Sequence, residues 1–126
     1  MNPQVEQAIA ELRVCFPDTE VVASDTKDGG ASVRIDSVDI GSAYVPKETW
    51  IAFGIAFQYP YADVYPLFVR PDLARADGQP HGEGFALGSF EGEPALQLSR
   101  RSNHLNAEID TAALKVTKVI QWLRDQ

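Results

Sequence analysis

The chain has 126 residues, with 44% hydrophobic and 23% charged residues and a net charge of -7. That length suits one domain that folds without a disulfide or metal staple, so residues 1–126 are read as a single unit. The acidic balance speaks against nucleic-acid and acidic-membrane partners, which need a basic field, and leaves proteins and small ligands open.

Residues 4 to 15 are predicted as a helix. Val5, Ile9, Leu12 and Phe16 make one apolar stripe. Asn2 is the candidate N-cap, with Pro3 at the first helical position. Cys15, three residues after Leu12, is expected on the same apolar side as a buried thiol. It is the only cysteine, so no internal disulfide or cysteine cluster exists.

A strand is predicted over 20–25, and Lys27-Asp28-Gly29-Gly30 is a turn. In the next strand Val33 and Ile35 are out of phase with Val38 and Ile40. A bulge near Asp36-Ser37 would account for the slip. Residues 41–49 read as a loop. Then Ile51, Phe53, Ile55, Phe57 and Tyr59 alternate with small or polar residues, which predicts a strand with one buried face up to Pro60. A short strand follows at 67–70. The two strands meet at a corner with two Tyr-Pro pairs, Tyr59-Pro60 and Tyr65-Pro66.

From Pro71 to about Ala107 regular pattern is lost. Glycines and prolines abound, yet Phe85, Leu87, Phe90, Leu96 and Leu98 would let the segment lie on the body as an ordered flap, with room for a short hairpin. A last helix is predicted from about Thr111 to Arg124, with Asp110 as N-cap and Ile109, Ala113, Val116, Ile120 and Leu123 on its apolar face. The order is helix, four-stranded antiparallel meander, flap, helix: an α+β domain. No basic-then-apolar leader pattern and no membrane-length apolar run is seen, so a soluble cytoplasmic protein is expected.

The chemistry-bearing residues lie in the flap. His81 with Glu83 reads as an acid/base pair or as a solvated glycine-rich turn. Ser99, Arg100, Arg101, Asn103 and His104 form the densest polar cluster. Arg100 and Arg101 can grip a carboxylate of a partner, or one can pair with Glu93 or Glu108. Ser99 as a nucleophile needs a base, and nothing in the sequence sets His104 beside it. Two histidines make a poor metal inventory, no phosphate-binding glycine loop is present, and no cofactor is expected.

The element order, the Tyr-Pro corner and the stretch from Leu98 to Leu105 leading into Asp110 resemble the ubiquitin-conjugating (E2) fold, its RWD relatives and the prokaryotic E2-like proteins of ubiquitin-like operons. The resemblance implies a UBC/RWD-like fold in a bacterial protein. It implies a ubiquitin-like protein or an activating (E1-like) or JAB-like pathway protein as partner. The catalytic pattern departs from that family. His81 is followed by Gly82, not by proline and asparagine, and no cysteine follows Cys15. Thioester transfer needs a thiolate. Three readings follow: a domain that binds without transferring, a conjugating enzyme whose cysteine has been substituted, or an enzyme with a non-cysteine centre within 80–104.

Overall fold

The computed structural model describes residues 1–126. Helix α1 (Pro3–Cys15) is followed by strands β1 (Val21–Asp25), β2 (Ala31–Asp39), β3 (Tyr44–Val45), β4 (Glu48–Ile55), β5 (Leu67–Val69), β6 (Ala74–Arg75), β7 (Phe85–Phe90) and β8 (Glu93–Leu98), then helix α2 (Ala112–Arg124). One sheet runs β1-β2-β4-β5-β8-β7, and every pairing in it is antiparallel. The small pair β3-β6 stands apart from it. No helix is long and apolar enough to cross a membrane.

The period of two puts one side chain in every two on the core face. Ile35, Ile51 and Val69 align across β2, β4 and β5. Val33, Phe53, Leu67 and Leu98 form the next row. All seven are buried, and Val5, Leu12, Val116 and Leu123 of the two helices join them in one core. The expected slip in β2 is a bulge: Ile35 pairs with Ile51 and Val38 with Thr49, so Asp36 and Ser37 together face Trp50.

The sequence expectations differ from the structure at several places. The organising strand ends at Ile55 and does not reach Tyr59. Its partner β2 begins opposite Ile55, at Ala31, so residues beyond it have no ladder to join. The chain turns instead, with Tyr59 N–H bonded to Ala56 O at 3.0 Å, and Phe57 is 53% exposed.

Part of the 41–49 loop is strand, since β3 and the start of β4 lie there. The four-stranded meander β1-β2-β4-β5 is present, but the sheet has six strands. The second half of the expected irregular flap folds as the β7-β8 hairpin and pairs through β8 with β5.

The N-cap of α2 is Thr111, whose hydroxyl accepts the Leu114 N–H at 3.1 Å. Asp110 instead accepts the Asn106 N–H at 2.7 Å, closing the turn before the helix. Ile109, expected on the apolar face, is 61% exposed.

Cys15 is exposed, not buried. A helix turns about 100° per residue, which sets Cys15 roughly 90° from the Val5-Ile9-Leu12-Phe16 stripe, at its margin. Its sulfur lies 3.8 Å from Thr117 Oγ1 of α2.

Candidate functional site

The site is built where the chain leaves β8 and crosses α2. Residues Arg100 to Asn103 run over the α2 face that carries Lys115, Lys118, Val119 and Trp122, and a pocket of about 250 Å³ opens between them.

Its floor is the buried Lys115, which is ion-paired with the partly buried Asp63 behind it. Lys115 is 7% exposed, and its Nζ lies 3.1 Å from Asp63 Oδ2 and 3.2 Å from Oδ1. The same ammonium donates to Arg100 O at 2.5 Å and meets Ser102 Oγ at 3.1 Å. Ser102 donates its N–H and its hydroxyl to the two Asp63 oxygens, each at 2.8 Å. A buried ammonium needs such company, because leaving it unpaired costs several kcal/mol. Burial pushes the Asp63 carboxyl up, but the Ser102 and Lys115 hydrogen bonds together outweigh it and hold the group below its ordinary value. Asp63 comes from the Tyr-Pro corner, so the network fastens the corner, the post-β8 segment and α2 at one point.

Above this floor the two arginines are free of carboxylates. The Arg100 guanidinium lies 5.0 Å from the Trp122 ring centre, and that of Arg101 lies 4.0 Å from the Tyr65 ring centre. Neither takes part in an ion pair, so the pairing with Glu93 or Glu108 that the sequence left open is not made. Lys118 adds a third cation, with Asp110 3.7 Å away. Cations resting on aromatic faces keep their charge directed outward and give up little rotamer freedom on meeting an anion. In a chain of net charge -7 this is a local reversal of sign.

His81 belongs to an aromatic stack and not to this pocket's rim. Its ring stacks on Phe85 at 4.5 Å, Phe85 stacks on Trp122 at 5.0 Å, and Tyr44 lies on the other side at 6.2 Å. His81 Nε2 is 2.7 Å from Leu73 O, and the buried Nδ1 has no partner. Glu83 is exposed and makes no bond to His81. Ser99 Oγ accepts from Gln97 Nε2 at 3.3 Å, and no bond joins it to His104. His104 is exposed, at φ 53. Of the flap candidates, then, Arg100, Arg101 and Asn103 line one pocket, while His81, Glu83, Ser99 and His104 do not form a nucleophile-base pair with one another. Nowhere in the chain do three or more His, Cys, Asp or Glu side chains gather in a way that could hold a metal ion.

Sequence reasoning missed Lys115 and Asp63. The available signal was a lysine lying between Ala112 and Val119 on the apolar stripe of the last helix, where a charge must find a partner. No family model matches the chain, and neither a curated protein nor a solved structure matches it.

Proposed function

We propose that this chain is a protein-binding domain whose Arg100-Arg101 pocket receives a carboxylate of its partner. Within that reading we place it among the UBC/RWD-like domains of prokaryotic ubiquitin-like pathways, acting by reversible binding and not by thioester transfer. The carrying observation is that the guanidiniums of two consecutive arginines rest on Trp122 and Tyr65 with no carboxylate of their own chain to neutralise them. Support for the pathway comes from the element order, the meander and the Tyr-Pro corner. Support for binding without transfer comes from chemistry: the sole cysteine sits at the end of α1, facing Thr117, away from the arginine pocket.

The test is a titration of the isotope-labelled chain with a ubiquitin-like protein, followed by NMR. Shifts should cluster on Arg101, Ser102, Asn103 and Lys118. Replacing Arg100 and Arg101 together by alanine should weaken binding at least about tenfold, the range of an arginine hot spot. Unchanged affinity in the double variant would refute the arginine site. A reducible adduct formed with activating enzyme and ATP would refute binding without transfer.

A further inference from the structure

The β7 edge of the sheet is open, and the hairpin geometry fixes which of its main-chain groups are free. Glu91 and Gly92 form the loop between Phe90 and Glu93, at φ 51 and 81. Positive φ at both positions is the type I′ hairpin turn. The residues flanking such a turn exchange hydrogen bonds, and bonded and unbonded pairs alternate from there. Gly88-Ala95 and Ala86-Gln97 are therefore bonded pairs, while Ser89-Pro94, Leu87-Leu96 and Phe85-Leu98 are not. Pro94, which has no N–H, falls on an unbonded position as this requires. The next pair along, Gly84-Ser99, is bonded as the alternation requires, with Ser99 N–H donating to Gly84 O at 2.8 Å. The N–H and C=O groups of Phe85, Leu87 and Ser89 thus point away from β8, and no strand lies beyond β7.

Nothing guards this edge. β7 has no charge and no proline, the usual devices against strand addition. Leu87 is 86% exposed at its centre. At the other edge of the sheet the Val21 carbonyl is taken by Arg13 Nη2 at 3.2 Å, and the N-terminal ammonium sits 3.2 Å from Asp25. Acids bracket the open edge: Glu83 precedes Leu87 by four residues, and Glu91, whose carboxylate also takes the Ser32 hydroxyl, follows it by four. A second copy paired about Leu87 would set Glu83 against Glu91 at both ends, between two chains of net charge -7. A segment with basic ends meets the same positions favourably.

We infer that β7 is a docking edge that takes an antiparallel strand from a partner protein, one with an apolar β-branched centre and a lysine or arginine at each end. The strand would satisfy the free groups of Phe85, Leu87 and Ser89 and cover Leu87. This inference does not depend on the arginine pocket.

The probe is a dye-labelled peptide, Lys-Thr-Val-Thr-Val-Thr-Val-Thr-Lys, followed by fluorescence anisotropy with the full chain. Its central valine would face Leu87, and its lysines Glu91 and Glu83. Leu87→Pro removes an N–H that β8 does not use, so the hairpin keeps its ladder. Leu87→Asp is the second variant, with backbone unchanged. Saturable binding is expected, at least about tenfold weaker for each variant and for the peptide with glutamate in place of both lysines. Circular dichroism of each variant should match the wild type. No binding of the lysine peptide overturns the inference, as does equal binding by a folded Leu87→Asp chain. A concentration-dependent dimer that Leu87→Asp abolishes, without peptide binding, would make a second copy the occupant and also overturn it. Loss of peptide binding in the Arg100→Ala, Arg101→Ala chain would move the peptide to the other site and overturn it too.

Discussion

The phenol oxygen of Tyr59 accepts the main-chain N–H of Ala112 at 2.9 Å. Ala112 is the first residue of α2, and its N–H is one of the donors that a helix start leaves without an internal partner. The Tyr-Pro corner thereby caps the last helix from across the fold. Burial of the phenol pushes its pKa above the ordinary value, so it stays neutral at physiological pH.

Tyr59→Phe should cost about 1–2 kcal/mol, since it orphans a buried N–H while keeping the ring. Tyr59→Ala should cost about 3 kcal/mol or more. Urea unfolding measures both. Equal losses would mean that the hydroxyl alone matters and that the ring contributes nothing, and no loss in Tyr59→Phe would mean the reverse.

The Asp63-Lys115 pair predicts an acid limb in stability. Asp63 sits below its ordinary value of 3.8 in the folded chain. A lowered carboxyl stabilises the fold above that ordinary value, and the contribution is lost as pH falls through the folded value. Asp25, Asp28, Asp72 and Asp77, the last at about 2, act with the same sign. Asp63→Ala should therefore destabilise the chain by about 3 kcal/mol at neutral pH, because it leaves the Lys115 ammonium short of its counter-charge. The deficit should shrink as pH falls below the ordinary value of 3.8 and through the lower folded value, where the wild type loses the same interaction. A deficit that is constant with pH would assign the loss to packing.

The parts of the fold that one residue type dictates were legible in the sequence. Alternation named the buried row Ile51, Phe53 and Ile55, and the broken phase after Ile35 located the bulge. Asn2 was recognisable as an N-cap, and its side chain accepts the Val5 N–H at 3.0 Å. Alternation alone could not say where β4 ends, because that depends on where β2 starts beside it. The apolar spacing of the flap allowed a short hairpin, but glycines and prolines hid where its strands lie and that β8 joins β5, although Glu91-Gly92 between apolar residues was a usable turn signal. At the site, the arginine cluster was visible as sequence, but the freedom of both guanidiniums was not. It follows from Trp122 and Tyr65, which lie far from them along the chain, and from Asp63, which spends its charge on Lys115.

Cys15 gives a direct chemical check. With its thiol exposed at the end of α1, a thiol reagent should label the native chain nearly as fast as the denatured one. Cys15→Ser should leave stability within about 0.5 kcal/mol, the range of surface substitutions. Strong native protection would return the thiol to the core side of the helix and shift the register of its last turn.

The stacking of Arg101 on Tyr65 at 4.0 Å should be measurable without any partner. In a double-mutant cycle, Arg101→Ala and Tyr65→Leu should couple by about 0.5–1 kcal/mol, the range for exposed cation-aromatic pairs. Arg101→Lys should retain the charge and lose much of the coupling, because a compact ammonium does not lie flat on a ring. Urea unfolding of the four chains gives the coupling energy directly. A coupling near zero would mean that Arg101 is not held over Tyr65, and the arginine pocket would then lack the preorganisation on which the carboxylate reading rests.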